Sequence, residues 1–146
     1  MKDQPVEILL VEDNEDDIVL TREAFTEAKL VNVINTVRDG EEALAYLRRE
    51  GRYKVARAPG LILLDINMPK KNGFEVLEAM KADPSLRSLP VVMLTTSERE
   101  EDVVRSYADG ACSYIRKPVD LDQFVGVVKQ FELYWTLVST IPSSGR

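Results

Sequence analysis

Asp65 closes the apolar run Leu61-Ile62-Leu63-Leu64 and is followed at once by Ile66-Asn67-Met68-Pro69 and Gly73. A short apolar run closed by turn residues reads as a buried strand, so this carboxylate stands where a core strand meets solvent. Glu12 and Asp13 close a second such run, Thr95 a third, and Lys117-Pro118 a fourth. Carboxylates brought to one sheet edge repel each other, and their pocket favours a cation. Magnesium suits it, because that ion takes oxygen ligands, keeps several waters and typically uses one or two carboxylates plus a phosphate. Asp13 and Asp65 are the direct ligand candidates, Asn67 would add its backbone carbonyl, and Glu12 would hold a water of the ion. A carboxylate beside magnesium can also attack phosphorus and become an aspartyl phosphate. Phosphoryl transfer mostly needs positioning and charge neutralisation, which Lys117 would supply as a cation and Thr95 as a hydroxyl donor. Those two form the expected catalytic pair. Lys117-Pro118 is also a place where a cis peptide is expected, since X–Pro is where cis bonds occur.

Composition removes several competing chemistries. The chain holds 146 residues, enough for one domain, with a hydrophobic share of 45% that supports a real core. Its formal net charge of −6 argues against a nucleic-acid or anionic-membrane binder, which would carry a basic patch. No apolar run approaches the ~18 residues of a membrane span. The N-terminal residues lack the pattern of a signal peptide. Cys112 is the single cysteine, so no internal disulfide is possible and a reducing, cytoplasmic location is expected. There is no histidine, which excludes Ser-His-Asp and Cys-His machinery and histidine zinc sites.

Two hydrophobic periods alternate along the chain and place these residues. Strands are predicted at Glu7–Val11, Val31–Val37, Leu61–Asp65, Val91–Thr95 and Ser113–Arg116. Helices are predicted from the Asn14 cap to about Ala28, over Glu41–Arg49, Phe74–Ala82 and Glu100–Asp109, and from Asp120 to about Val138. Gly110 is expected to cap the fourth helix, and Glu50–Gly60 reads as a loop. Five βα repeats predict an α/β fold, a doubly wound parallel sheet covered by helices on both faces. Strands one and three would be neighbours, raising Glu12, Asp13 and Asp65 from the same edge, where open α/β sheets carry their chemistry.

The chain resembles the receiver domain of two-component response regulators. The residues that carry the likeness are Glu12-Asp13, Asp65 within Asp65-Ile66-Asn67-Met68-Pro69, Gly73, Thr95, Tyr114 and Lys117-Pro118, in the family's order and over nearly the whole chain. The resemblance implies a flavodoxin-like (βα)5 fold with strand order 2-1-3-4-5. It implies phosphorylation of Asp65 by the phosphohistidine of a sensor histidine kinase, with magnesium. It also implies that Thr95 and Tyr114 act as switch residues that report to the face of the fourth helix, fifth strand and fifth helix. Glu12-Asp13-Asn14-Glu15-Asp16-Asp17, the long Glu50–Gly60 loop and the extended last helix resemble, more narrowly, single-domain regulators paired with phytochrome-type kinases. Two positions depart from the common pattern. Thr96 is bulkier than the small residue usual there, which narrows access, and Ser97 lies where side-chain identity tunes dephosphorylation.

The expected domain spans residues 1–140, with 141–146 a flexible tail. Phe131, Tyr134, Trp135 and Val138 broaden the apolar stripe of the last helix beyond what one sheet face buries. They are the expected interface of a homodimer or partner contact, since interfaces are enriched in Tyr, Trp and Phe. The competing interpretations are a haloacid-dehalogenase-type phosphatase and an inactive receiver used as a binding module. The phosphatase needs a second acid two residues after the nucleophile, where Asn67 stands. The full set of acids, threonine and lysine argues against the inactive receiver.

Overall fold

The computed structural model describes residues 7–27, 30, 32–106 and 112–130. Five parallel strands form one sheet in the order β2-β1-β3-β4-β5. They are β1 (Ile8–Val11), β2 (Ile34–Val37), β3 (Leu61–Asp65), β4 (Val91–Thr95) and β5 (Cys112–Arg116). The helices between and after them are α1 (Glu15–Glu27), α2 (Gly40–Leu47), α3 (Gly73–Lys81), α4 (Glu98–Arg105) and α5 (Leu121–Gln130). This is the doubly wound parallel sheet anticipated from the alternating periods, in the flavodoxin-like strand order that the resemblance implied.

Strand alternation divides the core in two. Leu9, Val11, Ile62, Leu64, Val91 and Met93 point to one face, where they meet Ala43, Leu44 and Leu47 of α2, Val76, Leu77 and Met80 of α3, and Val104 of α4. Ile8, Leu10, Leu61, Leu63, Val92, Leu94 and Ile115 point to the other, against Ile18 and Phe25 of α1 and Phe124 and Val127 of α5. Phe25 and Phe124 join those two helices, with ring centroids 4.6 Å apart and planes tilted by 55°. Burying each such side chain stabilises the fold by about 1.5–3 kcal/mol. The central strands are apolar on both faces for this reason, which is why they read as continuous runs rather than alternating ones.

The register brings the acids together. Val11 pairs with Leu64, so Glu12 and Asp65, each one residue on, emerge side by side. Asp65 pairs with Leu94 and Thr95 with Arg116, which adds the ends of β4 and β5 to the same edge. Strand order reverses at β1 and β3, so the acids rise at the point where the flanking helices leave to opposite faces.

Several boundaries differ from the sequence expectation. β2 starts at Ile34, which pairs with Ile8, the first residue of β1; Val31 lies outside the described residues. α4 starts at Glu98 rather than Glu100, because the Ser97 side chain caps it by accepting the Glu100 N–H. α2 starts at Gly40, capped by Asp39. β5 includes Cys112, which pairs with Val91. The loop after α2 contains a turn of 3-10 helix at Gly51–Tyr53. Asn14 caps α1 as expected, accepting the Asp17 N–H at 2.9 Å. The expected Gly110 cap, the stretch from Phe131 to Val138 and the 141–146 tail lie outside the described residues. Among the described residues no helix is long and apolar enough to cross a membrane.

Candidate functional site

At the carboxyl edge of β1 and β3, Glu12 and Asp65 are almost wholly buried, with 1% and 2% exposure, while Asp13 is exposed. Each of the three offers an oxygen within 4.8 Å of the others. Burying carboxylates this close together penalises their charge. Burial, reinforced by the neighbouring Asp65, pushes the Glu12 carboxyl up to about 7. Burial also raises Asp65 above the ordinary carboxylate range, against the pull of Lys117.

The cation that offsets this charge comes from the end of β5. Lys117 Nζ lies 3.1 Å from Glu12 Oε1, 3.1 Å from Asp65 Oδ1 and 2.8 Å from Asp17 Oδ2. Burial alone would lower the lysine, but the hydrogen bond with Asp17 and the charges of Asp65 and Glu12 outweigh it and raise the ammonium above its usual range. The Lys117 N–H donates to the Thr95 carbonyl at 2.8 Å, and the Lys117–Pro118 peptide is cis, as anticipated. Glu12 Oε2 accepts the Asn14 N–H at 3.2 Å.

Asp65 Oδ1 is buried and close enough to Lys117 for an ion pair, yet it is not aligned to receive a hydrogen bond. A buried acceptor left this way is costly unless something else satisfies it. Glu12, Asp17 and Asp65 share the Lys117 ammonium, and oxygens of Glu12, Asp13 and Asp65 lie together, so the donor set fits a hard divalent cation bound through oxygen. Gly73 keeps the turn after β3 tight. Its N–H donates to the Ile66 carbonyl, and a Cβ there would fall 2.5 Å from the Asp65 carbonyl oxygen and 2.8 Å from Ile66 Cα.

The remaining anticipated residues lie at the end of β4, in β5 and on the turn after β3. Thr95 is fully buried, and its hydroxyl lies 3.5 Å from both the Ile115 carbonyl and Glu101 Oε2. Tyr114 is half-buried; its hydroxyl accepts from Arg105 Nη1 at 2.6 Å, and the guanidinium lies 5.5 Å from the ring centre. Asn67 is exposed and its amide donates to Glu100 Oε2 at 2.9 Å.

Sequence reasoning missed Asp17, Glu100, Glu101 and Arg116. Asp17 stands in the first turn of α1, where the helix dipole favours any acid, and nothing local indicates that it reaches a lysine 100 residues away. Glu100 did carry a signal, since Ser97-Glu98-Arg99-Glu100 has the S-x-x-E pattern of a capping box. Glu101 pairs with Arg116 Nε at 2.6 Å, a contact that only the β4–β5 register creates.

The family profile for the response regulator receiver domain matches residues 8–129. Response regulator Rcp1 of Synechocystis sp. is 39% identical over 140 residues, covering 96% of this chain and 95% of its own. A crystal structure of the Mn(2+)-bound form of Rcp1 matches with a TM-score of 0.71 at 40% identity, covering 95% of this chain and 100% of the other. The bacteriophytochrome response regulator RtBRR matches with a TM-score of 0.85 at 44% identity, covering 96% of this chain and 86% of the other. The phosphorylated cyanobacterial phytochrome response regulator RcpA matches with a TM-score of 0.73 at 48% identity, covering 95% of this chain and 99% of the other.

Proposed function

From a chain that belongs to the response regulator receiver domain family, we propose a phosphorelay step in which Asp65 accepts a phosphoryl group from the phosphohistidine of a phytochrome-type sensor histidine kinase. A receiver is a signalling module, and its partner is a histidine kinase. These 146 residues hold no histidine, so a phosphohistidine donor lies outside them. The observation that carries the proposal is the Asp65 carboxylate, buried at the sheet edge beside Lys117, with an oxygen that no hydrogen bond satisfies.

An Asp65 oxygen attacks phosphorus as the P–N bond breaks, and the imidazole nitrogen keeps the bonding electron pair. Lys117 holds positive charge at the acceptor, and Thr95 offers a hydroxyl from the neighbouring strand end. Magnesium is the proposed ion, held by Asp13 and Asp65 and the Asn67 carbonyl, with Glu12 one step further out. When bound, it offsets the negative charge that the acids and the phosphoryl oxygens bring together. The manganese-bound form of Rcp1 supports a divalent cation in a related chain.

A phosphoryl group adds roughly −1.5 to −2 charges. Hydrogen bonds to charged groups contribute roughly 1.5–3 kcal/mol each, enough for two or three to shift a local equilibrium. Thr95 moves toward the group, Tyr114 follows, and the α4–β5–α5 face changes its affinity for partners. Residues 1–140 form the receiver, with 141–146 as a tail. Phe131, Tyr134, Trp135 and Val138 form the contact of a homodimer through the C-terminal helix region. The cytoplasm is the proposed location.

The test is intact-mass analysis after treatment with acetyl phosphate and magnesium. Wild type gains one phosphoryl mass and Asp65→Asn gains none. An equal adduct on the variant refutes the acceptor assignment.

A further inference from the structure

The two turns that flank Asp65 are bridged by a carboxylate. In a regular capping box Glu100 would return to the N–H of Ser97. It reaches one residue further instead. Glu100 Oε1 accepts the Thr96 N–H at 2.7 Å and the Thr96 hydroxyl at 3.3 Å, and Oε2 accepts the Asn67 amide at 2.9 Å. β3 and β4 are adjacent, with Asp65 paired to Leu94, so Asn67 and Thr96 lie on the two turns that flank Asp65. Three donors from two loops thus converge on an anion carried by a third element. Donors gathered in this way suit a multi-oxygen anion, because each is a neutral dipole aimed at negative charge. Glu101, the next residue, lies 3.5 Å from the Thr95 hydroxyl while Arg116 holds its charge.

We infer that Glu100 is an internal stand-in for the phosphoryl group: its carboxylate occupies the Thr96 N–H and the Asn67 amide, and a phosphoryl group on Asp65 must displace it. The inference rests on Asp65 being the acceptor. The exchange is anion for anion, so the donors keep a partner and Glu100 sets a threshold rather than a block. Glu100 belongs to the first turn of α4, so its release acts on that helix directly.

The experiment compares rates of labelling by acetyl phosphate and magnesium, read by intact mass, for wild type, Glu100→Ala, Glu100→Gln and Glu98→Gln. Glu98→Gln removes the same charge from the same turn without touching the donors. Glu100→Ala is expected to label about tenfold faster, the scale of one charge-assisted hydrogen bond. Glu100→Gln, which keeps a neutral acceptor, falls between, and Glu98→Gln stays near wild type. In amide NMR spectra the Thr96 signal shifts in Glu100→Ala before any labelling. Labelling of Glu100→Ala at or below the wild-type rate overturns the inference, as does an equal gain in Glu98→Gln. A wild type that takes no label overturns the acceptor reading itself, and the stand-in role falls with it.

Discussion

At the β1–β3 edge the charges are few, buried and shared: Glu12 and Asp65 are nearly inaccessible, and one ammonium serves both together with Asp17. Across the pocket, the α4–β5 side is held by contacts that water reaches. Arg105 bonds Asp102 and Tyr114, and Arg116 bonds Glu101, with half or nearly half of each guanidinium side chain exposed. Buried charges tolerate one arrangement, because any loss of a partner leaves an unscreened ion. Exposed pairs exchange partners easily, because water takes up what a partner releases. The contrast divides the labour. The buried edge keeps a reactive carboxylate in place, and the exposed side can rearrange when that carboxylate changes.

Removing the shared cation gives the sharpest test of the contrast. Lys117→Met is expected to cost about 3–5 kcal/mol of stability at pH 8, the scale for breaking a buried ion pair from one side. The loss should shrink at pH 5.5, where the stranded acids take up protons. Urea unfolding at the two pH values measures it, and a uniformly small loss would mean that the edge is less buried in solution.

Glu12 gives the next effect. Its carboxyl stands at about 7 in the folded chain against an ordinary 4.5. The folded chain therefore holds this proton more tightly than the unfolded chain, and stability falls as pH rises from about 4.5 to about 7. A displacement of this size corresponds to on the order of 3 kcal/mol in the metal-free protein. Glu12→Gln should remove that slope. The difference between variant and wild type in urea unfolding at pH 5 and pH 8 reads it directly, and parallel pH profiles would refute the assignment.

The smallest effect belongs to the exposed side. Arg105→Ala is expected to leave the unfolding midpoint unchanged within error while shifting the Tyr114 ring signals in NMR spectra. A clear loss of global stability would show that α4 and β5 are locked together as firmly as the acid edge.

Much of the chemistry was legible because its signals are local. Apolar runs ending in Asp65, Glu12-Asp13 and Thr95, and the short segment before Lys117-Pro118, announce strand ends, and parallel strands carry their ends to one edge. Asn14 announced a helix start for the same reason, since a cap acts within one turn. What stayed hidden depends on register. Asp17 looked like any first-turn acid, and the Glu101–Arg116 pair joins residues 15 apart in sequence. The start of α4 was misplaced although its capping pattern was present, because the acidic run Glu98–Asp102 has little apolar period to mark a boundary.

The amino-acid order by itself determined that four of the five strands would end at a polar group able to do chemistry and that no histidine or thiolate chemistry was open to the chain, because side-chain type and hydrophobic period act over a few residues. Only the folded packing decided that Lys117 bridges Glu12, Asp17 and Asp65, and that Glu100 closes over Asn67 and Thr96. Those contacts join segments far apart along the chain, and their distances are set by the pairing of β1 with β3 and β3 with β4, which no local pattern encodes.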